Sequence, residues 1–399
     1  MRDSRIPKQY IKYPYKPLDV GYNESYSPLK AIDEIWIALK GYCYSDENIK
    51  TLINRHNTNV KDIKQFSNYI KSFTKQAENF YNAALKINYE SKPLLLYYSY
   101  LNLSKVLLLL KNKQYFFEPG QNYLERHGIK PNRNKMKQSE FLFENQEIII
   151  EKNAIASDLY INETSSSLLN EEISIKFTDL FKYLPEISLQ VIQSNIIGKL
   201  KFIPCNYIFN SNTIENSEKY WVILKLLKNK DIFEDIYDEK YKNFFKNLHQ
   251  KFESVDISKN WHWVKEIFNI NTSQFDQFVF LESKDVLPKI TNTPPIQELV
   301  NLTKTAIEPN VSESVAPDGN DFYIYFPINN SIFINEFLSI YFITFYLSEL
   351  VRYKPFQLDN MNSKKERWLI ESFVQTSYIK MYRYYLAKIL KEININKTY

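Results

Sequence analysis

An amide and an ammonium group lie near the middle of a strongly apolar segment. The segment reads LLLYYSYLNLSKVLLLL, residues 94–110, and Asn102 and Lys105 interrupt it. On a helix, residues three, four or seven positions apart share a face, so Tyr98, Asn102 and Lys105 form one stripe. A buried ammonium group is unfavourable by several kcal/mol unless it is paired. The stripe therefore indicates a lysine that extends to solvent, an internal ion pair, or a polar ligand site.

A second group of polar residues ends another apolar segment, in LSELVRYKP. Glu349 and Arg352 are three positions apart and can pair on one helix face. The Arg352 guanidinium could also bind a carboxylate or a phosphate through two parallel hydrogen bonds, or it could stabilise the C-terminal end of its own helix.

The tripeptide Arg126-His127-Gly128 is a third group. Histidine is the side chain most easily poised to exchange a proton near neutral pH, and glycine permits a sharp turn or a close backbone approach. A solvated surface loop is the alternative interpretation. We treat Arg126 and His127 as candidate catalytic residues. The candidate ligand-binding residues are Tyr98, Asn102, Lys105, Arg126, His127, Glu349 and Arg352.

These residues lead to a specific hypothesis about a ligand. In this hypothesis, Asn102 and Lys105 face a polar pocket that Arg126 and His127 help to close. A phosphorylated ligand then occupies the pocket. A phosphate would satisfy both kinds of cation because lysine supplies a point charge and arginine a planar set of donors. The hypothesis requires the loop between Lys111 and Arg126 to fold back onto the helix.

Several common catalytic and nucleotide-binding motifs are absent from the sequence. The chain has six glycines and contains neither the dinucleotide-binding nor the P-loop glycine pattern. The G-x-S-x-G and H-E-x-x-H patterns are also absent. Cys43 and Cys205 are the only cysteines and four histidines are present, so the sequence predicts neither a disulfide framework nor a metal site. It identifies no cofactor.

Positive charge is concentrated in two parts of the chain. The net charge is +5, and residues 352–399 alone contain ten Lys and Arg against four Asp and Glu. Residues 126–137 form a second basic cluster with five Lys and Arg and no acid. Such clusters attract phosphates or acidic partners, although a solvated surface has the same composition. His262 lies between Trp261 and Trp263, which predict either a stacking platform for a base or a packed aromatic cluster.

Helical patterns dominate the N-terminal part of the chain. Residues 1–28 are rich in proline and tyrosine and predict an extended arm. A first helix follows, with Ser27 as its cap and a stop at Gly41. Apolar residues at helical spacing over 66–85, and a further helix capped by Ser91, predict an antiparallel helix hairpin.

The middle of the chain has a different pattern. Short β-branched and aromatic segments bounded by turn residues predict strands, and helical patterns occur between them. A proline-rich stretch, residues 294–321, predicts a long loop with a short helix. Because strands and helices alternate without a regular βαβ repeat, the pattern favours a mainly helical α+β fold with a small mixed sheet. The predicted strands are 146–152, 172–178, 200–209, 278–283 and 321–328, and the predicted helices are 178–197, 215–230 and about 239–252.

Two further helices are predicted at the C-terminal end, over residues 332–352 and 364–392. Their apolar faces are too wide to remain in water, so we expect them to form one cooperative unit with the N-terminal hairpin. The predicted organisation is an arm at 1–28, an N-terminal helical region with the hairpin at 29–137, a mixed α+β region at 138–330, and basic C-terminal helices at 331–399 that pack back on the N-terminal region.

Two apolar segments, residues 94–110 and 332–350, approach the length of a membrane span. Both are short or interrupted by charged residues, whereas a span needs about 20 apolar residues. We therefore predict buried helices and no membrane span. The first residues of the chain lack the apolar core of a signal peptide, so a cytoplasmic location is expected.

Four segments, taken in order along the chain, resemble the YaaC-like family of bacterial proteins. They are KPLLLYYSYLNLSKVLLLL, RHGI, FTDLFKYLPEI and YFITFYLSELVRYKP. The resemblance extends over most of the chain, from about residue 60 to residue 390. It implies an intracellular bacterial protein and no particular reaction.

The segment AENFYNAALKINYESKPLLLYYSYLNLSKVLLLL, with the later RHGI, is also similar to the long helix hairpin of HEPN nucleotide-binding domains. Many HEPN proteins are ribonucleases in toxin or anti-phage systems, and they use an arginine followed four to six residues later by a histidine. None of His56, His127, His249 and His262 has an arginine at that spacing before it. The resemblance therefore implies a non-catalytic or differently catalytic HEPN-like module.

We expect a nucleotide- or nucleic-acid-binding module or effector that acts in anti-phage defence. One alternative is an enzyme on nucleotides or RNA that uses Lys105, Arg126, His127 and Arg352 as phosphate ligands and proton carriers. Another is a non-catalytic structural partner in a protein complex. Besides the nucleotide or nucleic acid, the expected partners are a protein from the same operon and a second copy of the chain.

Overall fold

A computed structural model describes most of the chain. Within it, the helical unit consists of Pro17–Gly198 and Ile334–Tyr399, and the sheet unit consists of Met1–Lys16 and Lys199–Phe333. The predicted middle region, residues 138–330, is therefore divided between the two units. The described residues are 9–11, 28–111, 126–132, 143–164, 171–195, 198–214, 217–255, 276–288, 298–299, 302, 311–312, 322–329, 332–362 and 366–390.

Helices and antiparallel strands together confirm the predicted, mainly helical α+β class. The helices are α1 (Pro28–Cys43), α2 (Asp46–His56), α3 (Ile63–Ala84), α4 (Lys92–Leu110), α5 (Ile155–Thr164), α6 (Phe177–Phe181), α7 (Ser188–Ser194), α8 (Lys246–Lys251), α9 (Glu336–Tyr353), α10 (Pro355–Asn362) and α11 (Glu366–Leu390). The strands are β1 (Gln9–Ile11), β2 (Ile129–Pro131), β3 (Glu147–Ile150), β4 (Ile173–Lys176), β5 (Phe202–Ile214), β6 (Ser217–Leu227), β7 (Phe252–Ser254), β8 (Phe278–Ser283), β9 (Leu287–Pro288), β10 (Val311–Ser312) and β11 (Phe322–Tyr325).

Helix α4 is the centre of the helical unit. It pairs with α3 in the predicted hairpin and also packs against α9 and α11, which explains why it is apolar on all sides. Its hydroxyl groups are used between helices: Ser99 Oγ donates to the Ala77 carbonyl of α3 at 2.7 Å and accepts from Tyr382 of α11 at 2.8 Å. Ser91 occupies the N-cap position of α4, but its side chain makes no capping hydrogen bond, so that part of the prediction was wrong.

The C-terminal end of α11 is held by α2. The last carbonyl groups of a helix have no partner within the helix. His56 Nε2 donates to the Ile389 carbonyl at 2.8 Å, and Arg55 Nη1 donates to the Leu390 carbonyl at 3.3 Å. The last described helix is thus fixed to the N-terminal part of the same unit, 333 residues earlier in the sequence.

Each unit has its own antiparallel sheet. The helical unit contains a three-stranded sheet in the order β2-β3-β4. The sheet unit contains an eight-stranded sheet with the central order β10-β11-β5-β6-β8-β7, where β1 also pairs with β5 and β9 with β6. The named strand pairs are antiparallel, where the sequence had predicted one small mixed sheet.

The predicted helix at 215–230 was wrong, because this part of the chain is β6. A continuous apolar run, YWVILKLL, does not distinguish a helix from a strand that is buried on both faces. The segment forms a strand because it pairs with β5 on one side and with β8 on the other. The predicted helix at 178–197 is also interrupted, at Pro185, where a short 3-10 turn separates α6 from α7.

Candidate functional site

The segment Arg126-His127-Gly128 is fixed against the start of α5. The carbonyl groups of Arg126 and His127 accept hydrogen bonds from Ile155 and Ala156 at 3.2 and 3.1 Å. Gly128 has a φ of 73°, and a Cβ atom there would lie 2.2 Å from the Cβ of Ala154. Only glycine fits this close approach, so the backbone that carries the imidazole is held in one conformation.

The His127 imidazole lies against two tyrosines of α4. Its ring centre is 5.7 Å from that of Tyr97 and 6.4 Å from that of Tyr98, both in edge orientations. Burial, with the positive charges of Lys105 and Arg352, lowers the pKa of His127 from 6.5 to about 4. The imidazole is therefore neutral at pH 7, and two cations from different helices lie close enough to act on it.

Arg352 connects the end of α9 to α4. Its Nη1 donates to the Tyr98 hydroxyl at 3.1 Å, and its Nη2 pairs with Glu349, which confirms the predicted ion pair. The side chains of Arg352 and Glu349 are 21% and 16% exposed, so the pair is not fully buried. Nε of Arg352 is buried and has no hydrogen-bond partner. One donor of the guanidinium therefore remains unused.

Asn102 and Lys105 differ in their surroundings. Asn102 is buried, and its amide nitrogen donates to the Tyr98 carbonyl one turn earlier at 2.8 Å. Lys105 is partly exposed, and its ammonium group lies 5.2 Å from the centre of the Phe73 ring. An ammonium group over an aromatic ring is attracted by the ring's negative face.

Most of the residues singled out in the sequence meet in one place. The group that the structure brings together, here called the His127 site, consists of Tyr98, Lys105, His127, Glu349 and Arg352. Asn102 adjoins it through the Tyr98 carbonyl. The Arg126 side chain is exposed at its edge. Sequence reasoning missed Tyr97, whose ring is completely buried beside His127. The predicted platform of Trp261, His262 and Trp263 lies outside the residues that the structure describes.

A second polar cluster lies at the other end of α9, here called the Glu336 cluster. Glu336 is completely buried and its carboxylate accepts hydrogen bonds from Lys380 at 2.8 Å and from Tyr384. Lys380 also donates to Glu186 at 3.2 Å. A charged residue inside the apolar segment 332–350 was the one signal for this cluster in the sequence, because such a charge needs a partner.

The pKa values of the two carboxyl groups of the Glu336 cluster are shifted in opposite directions. Burial and the nearby charge of Glu336 raise the pKa of Glu186. Burial acts on Glu336 in the same direction, but the charge of Lys380 and hydrogen bonds from Glu186, Lys380 and Tyr384 outweigh it and lower the pKa of Glu336. Of the two carboxyl groups, Glu336 is therefore the one that ionises first as the pH rises.

In the part of the chain that the structure describes, no group of three or more His, Cys, Asp and Glu side chains could hold a metal ion. Cys43 and Cys205 are both buried free thiols. By length and composition alone, helix α4 could cross a membrane. In this structure, however, 78% of its most apolar 18-residue stretch is buried inside the protein. The buried core helix of a soluble protein can have the same length and composition.

The fold and the site together define an α+β protein whose central helix hairpin and last helices surround a cationic cluster. The sequence model of the YaaC-like protein family matches residues 42–389, so the chain belongs to this family. No curated protein and no solved structure matches it.

Proposed function

We propose that this YaaC-like protein binds a phosphorylated ligand, a nucleotide or a nucleic acid, at the His127 site. The observation that carries the proposal is the convergence of Lys105 and Arg352, from two different helices, on the largely buried imidazole of His127, which lies with Arg352 against Tyr98; burial and these two charges lower its pKa. Lys105 and Arg352 disfavour the positive charge of a protonated His127. For the same reason they will attract an anion at this place.

The charges and donors of the site support a phosphate in particular. Lys105 and Arg352 both direct positive charge at His127, and Glu349 pairs with Arg352. The unused Nε of Arg352 supplies a donor for a phosphate oxygen without breaking the pair with Glu349. Packing of α4 on three sides holds these groups in place, which favours binding because little order is gained on association.

The HEPN resemblance supports a proposal about the biological setting. The segment over α3 and α4 resembles HEPN nucleotide-binding domains, which agrees with a nucleotide or RNA as the ligand. We propose a cytoplasmic binding module or effector of bacteria that acts in anti-phage defence. Its partners would be a protein from the same operon or a second copy of the chain.

An enzyme that acts on nucleotides or RNA is a second candidate, and the neutral state of His127 favours it. A neutral imidazole can accept a proton, and the adjacent cations can stabilise negative charge on a phosphate in the transition state. The HEPN arginine–histidine spacing is absent, so the reaction would use other residues than those of that superfamily. Product formation that disappears in His127→Gln would select this candidate.

A structural partner in a complex is the third candidate. Tyr353, Phe356 and Trp368 are 65%, 74% and 47% exposed and lie in α9, α10 and α11. Large exposed aromatic side chains are typical of protein interfaces. A chain that binds no phosphorylated ligand but co-purifies with an operon partner would favour this role.

The test compares thermal unfolding of three proteins with a panel of nucleotides and short RNAs. Lys105→Met removes the charge and retains most of the stem. Lys92→Met is the matched control, because Lys92 lies on the same helix with its ammonium group 4.4 Å from the centre of the Tyr378 ring. At least one ligand should raise the Tm of the wild type and of Lys92→Met, and this shift should be lost in Lys105→Met and should weaken with salt.

Titration of His127 by NMR gives a second readout. The pKa of His127 should rise in Lys105→Met, because one of the two cations is removed, and it should stay below 6.5 because burial remains. A bound phosphate should raise it in the wild type as well. Equal ligand shifts in all three proteins, or none with any ligand, would contradict the proposal.

A further inference from the structure

Exposed aromatic side chains are concentrated where α9, α10 and α11 follow one another. Among the described residues, five Phe, Tyr and Trp side chains are exposed, and three of them are Tyr353, Phe356 and Trp368. These three residues are here called the aromatic surface. Tyr353 and Phe356 are the most exposed of the five. Because exposed aromatic rings are unfavourable in water, their concentration in one short segment indicates a binding surface.

The aromatic surface is formed by adjoining elements. Tyr353 ends α9, Phe356 is the second residue of α10, and Trp368 lies in the first turn of α11. Helix α10 packs against both α9 and α11. Phe356 follows Tyr353 by three positions, so their Cα atoms are at most about 11 Å apart. The two most exposed rings are therefore neighbours.

Arg352 joins the aromatic surface to the His127 site. Its guanidinium carbon lies 5.0 Å from the centre of the Tyr353 ring, while its Nη1 donates to the Tyr98 hydroxyl. A guanidinium group beside an aromatic ring is attracted by the negative face of the ring. Because the Tyr353 side chain is largely exposed, most of its ring remains open to solvent next to the cationic site.

Positive charge accompanies the three rings. Residues 352–368 contain five Lys and Arg against two Asp and Glu. Lys354 lies between Tyr353 and Phe356 in the sequence, and it is exposed. The alternation of exposed rings and cations matches a single-stranded nucleic acid, in which bases stack on aromatic rings and phosphates lie against cations. It matches a protein interface less well, because lysine is depleted there.

We propose that the aromatic surface stacks the bases of a single-stranded nucleic acid whose phosphates lie at the His127 site and at Lys354. The inference rests on the proposed function, because Arg352 holds a phosphate beside the base that stacks on Tyr353. Aromatic rings stack on every kind of base, so binding tolerates different sequences. Several rings and cations in a row exceed what one nucleotide can contact, which favours a strand over a mononucleotide.

The first experiment measures the affinity of the full chain for short fluorescent poly(U) RNA and poly(dT) DNA by anisotropy. The wild type should bind at least one of the two strands. Tyr353→Leu should weaken this binding about tenfold, because stacking of one base on an aromatic ring has an effect of this size. Tyr353→Phe keeps the ring and should bind as the wild type does.

Tyr237→Leu is the matched control, because it removes an exposed tyrosine of the sheet unit and should leave the affinity unchanged. Phe356→Leu should weaken binding in the same direction as Tyr353→Leu, and it decides the test if Tyr353→Leu fails to fold. Strand affinities equal to that of the wild type in both variants would overturn the proposal and assign the rings to a protein interface.

The salt dependence of binding distinguishes stacking from charge. Lys354→Met should reduce the slope of log K against log salt concentration by about 0.7, because one phosphate contact of a single strand is lost. Tyr353→Leu should lower the affinity and leave this slope unchanged. A change of slope in Tyr353→Leu would show that the ring acts through Arg352 and not by stacking, which contradicts the proposal.

Inorganic tripolyphosphate, which has no bases, separates this inference from the proposed function. It should raise the Tm of the wild type and of Tyr353→Leu equally, and that of Lys105→Met not at all. If this holds and Tyr353→Leu binds both strands as the wild type does, the aromatic surface alone is wrong. Strand binding that depends on Tyr353 but not on Lys105 would retain the aromatic surface and contradict the phosphate site. Binding of neither tripolyphosphate nor a strand would contradict both.

Discussion

The two ends of α9 carry opposite charges in contrasting environments. At its start, Glu336 is completely buried and is bound by Lys380 and Tyr384. At its end, Arg352 is 21% exposed and has one unused donor beside the neutral His127. Both charges agree with the helix dipole, which favours an anion at the N-terminus and a cation at the C-terminus.

The contrast is between a charge that is paired inside the fold and one that, in the proposed function, serves a ligand. In the Glu336 cluster the Lys380 ammonium group is shared between two carboxyl groups, those of Glu186 and Glu336. At the His127 site two cations act on one imidazole, and the side chains of Arg352 and Glu349 remain partly exposed. The two groups of charges therefore differ in how far solvent reaches them.

The largest effect is expected from Lys380→Met. The substitution leaves Glu336 buried without its ammonium partner, and the free energy of unfolding should fall by about 3–5 kcal/mol. Urea unfolding monitored by circular dichroism measures the change. Lys71→Met is the control in the same unit, because its pair with Asp46 is exposed and its loss should leave the stability almost unchanged. Equal effects of the two substitutions would show that the Glu336 cluster is hydrated.

Arg352→Leu should have an intermediate effect on stability. Its pair with Glu349 is partly exposed, so the free energy of unfolding should fall by about 1–2 kcal/mol. The same substitution should abolish the nucleotide-dependent rise in Tm, which Lys380→Met should not do if that variant folds. A loss as large as that of Lys380→Met would remove the distinction between the two ends of α9.

His127 and Glu186 should also differ in the sign of their pH dependence. His127 has a pKa of about 4 in the folded state and 6.5 when unfolded, so its contribution to stability is present above pH 6.5 and is lost as the pH falls towards 4. Glu186 has a pKa raised from 4.5 to about 8, so its contribution is present below pH 4.5 and is lost as the pH rises towards 8.

Urea unfolding at a series of pH values separates these contributions. Between pH 6.5 and 8 the wild type should lose stability, and Glu186→Gln should lose less because it cannot ionise. Between pH 4 and 6.5, His127→Gln should lack the increase in stability with pH that His127 contributes. Identical pH profiles of the wild type and both variants would show that neither group titrates with the assigned pKa.

Local patterns in the sequence predicted the features that depend on neighbouring residues. The spacing of apolar residues predicted α3 and α4, because a helix brings residues three and four positions apart onto one face. The same spacing predicted the pair of Glu349 and Arg352. Short β-branched segments predicted β3, β4, β5, β8 and β11 within a few residues.

Contacts between distant parts of the chain decided the rest. The sequence of β6 is compatible with a helix, and its pairing with β5 and β8 makes it a strand. Glu186, Glu336 and Lys380 meet although up to 194 residues separate them, because α9 and α11 pack against the segment that carries Glu186. The sequence by itself therefore determined which residues were polar within apolar helices. Only the tertiary structure decided whether each was paired with a distant residue, as Glu336 is with Lys380, or within its own helix, as Arg352 is with Glu349.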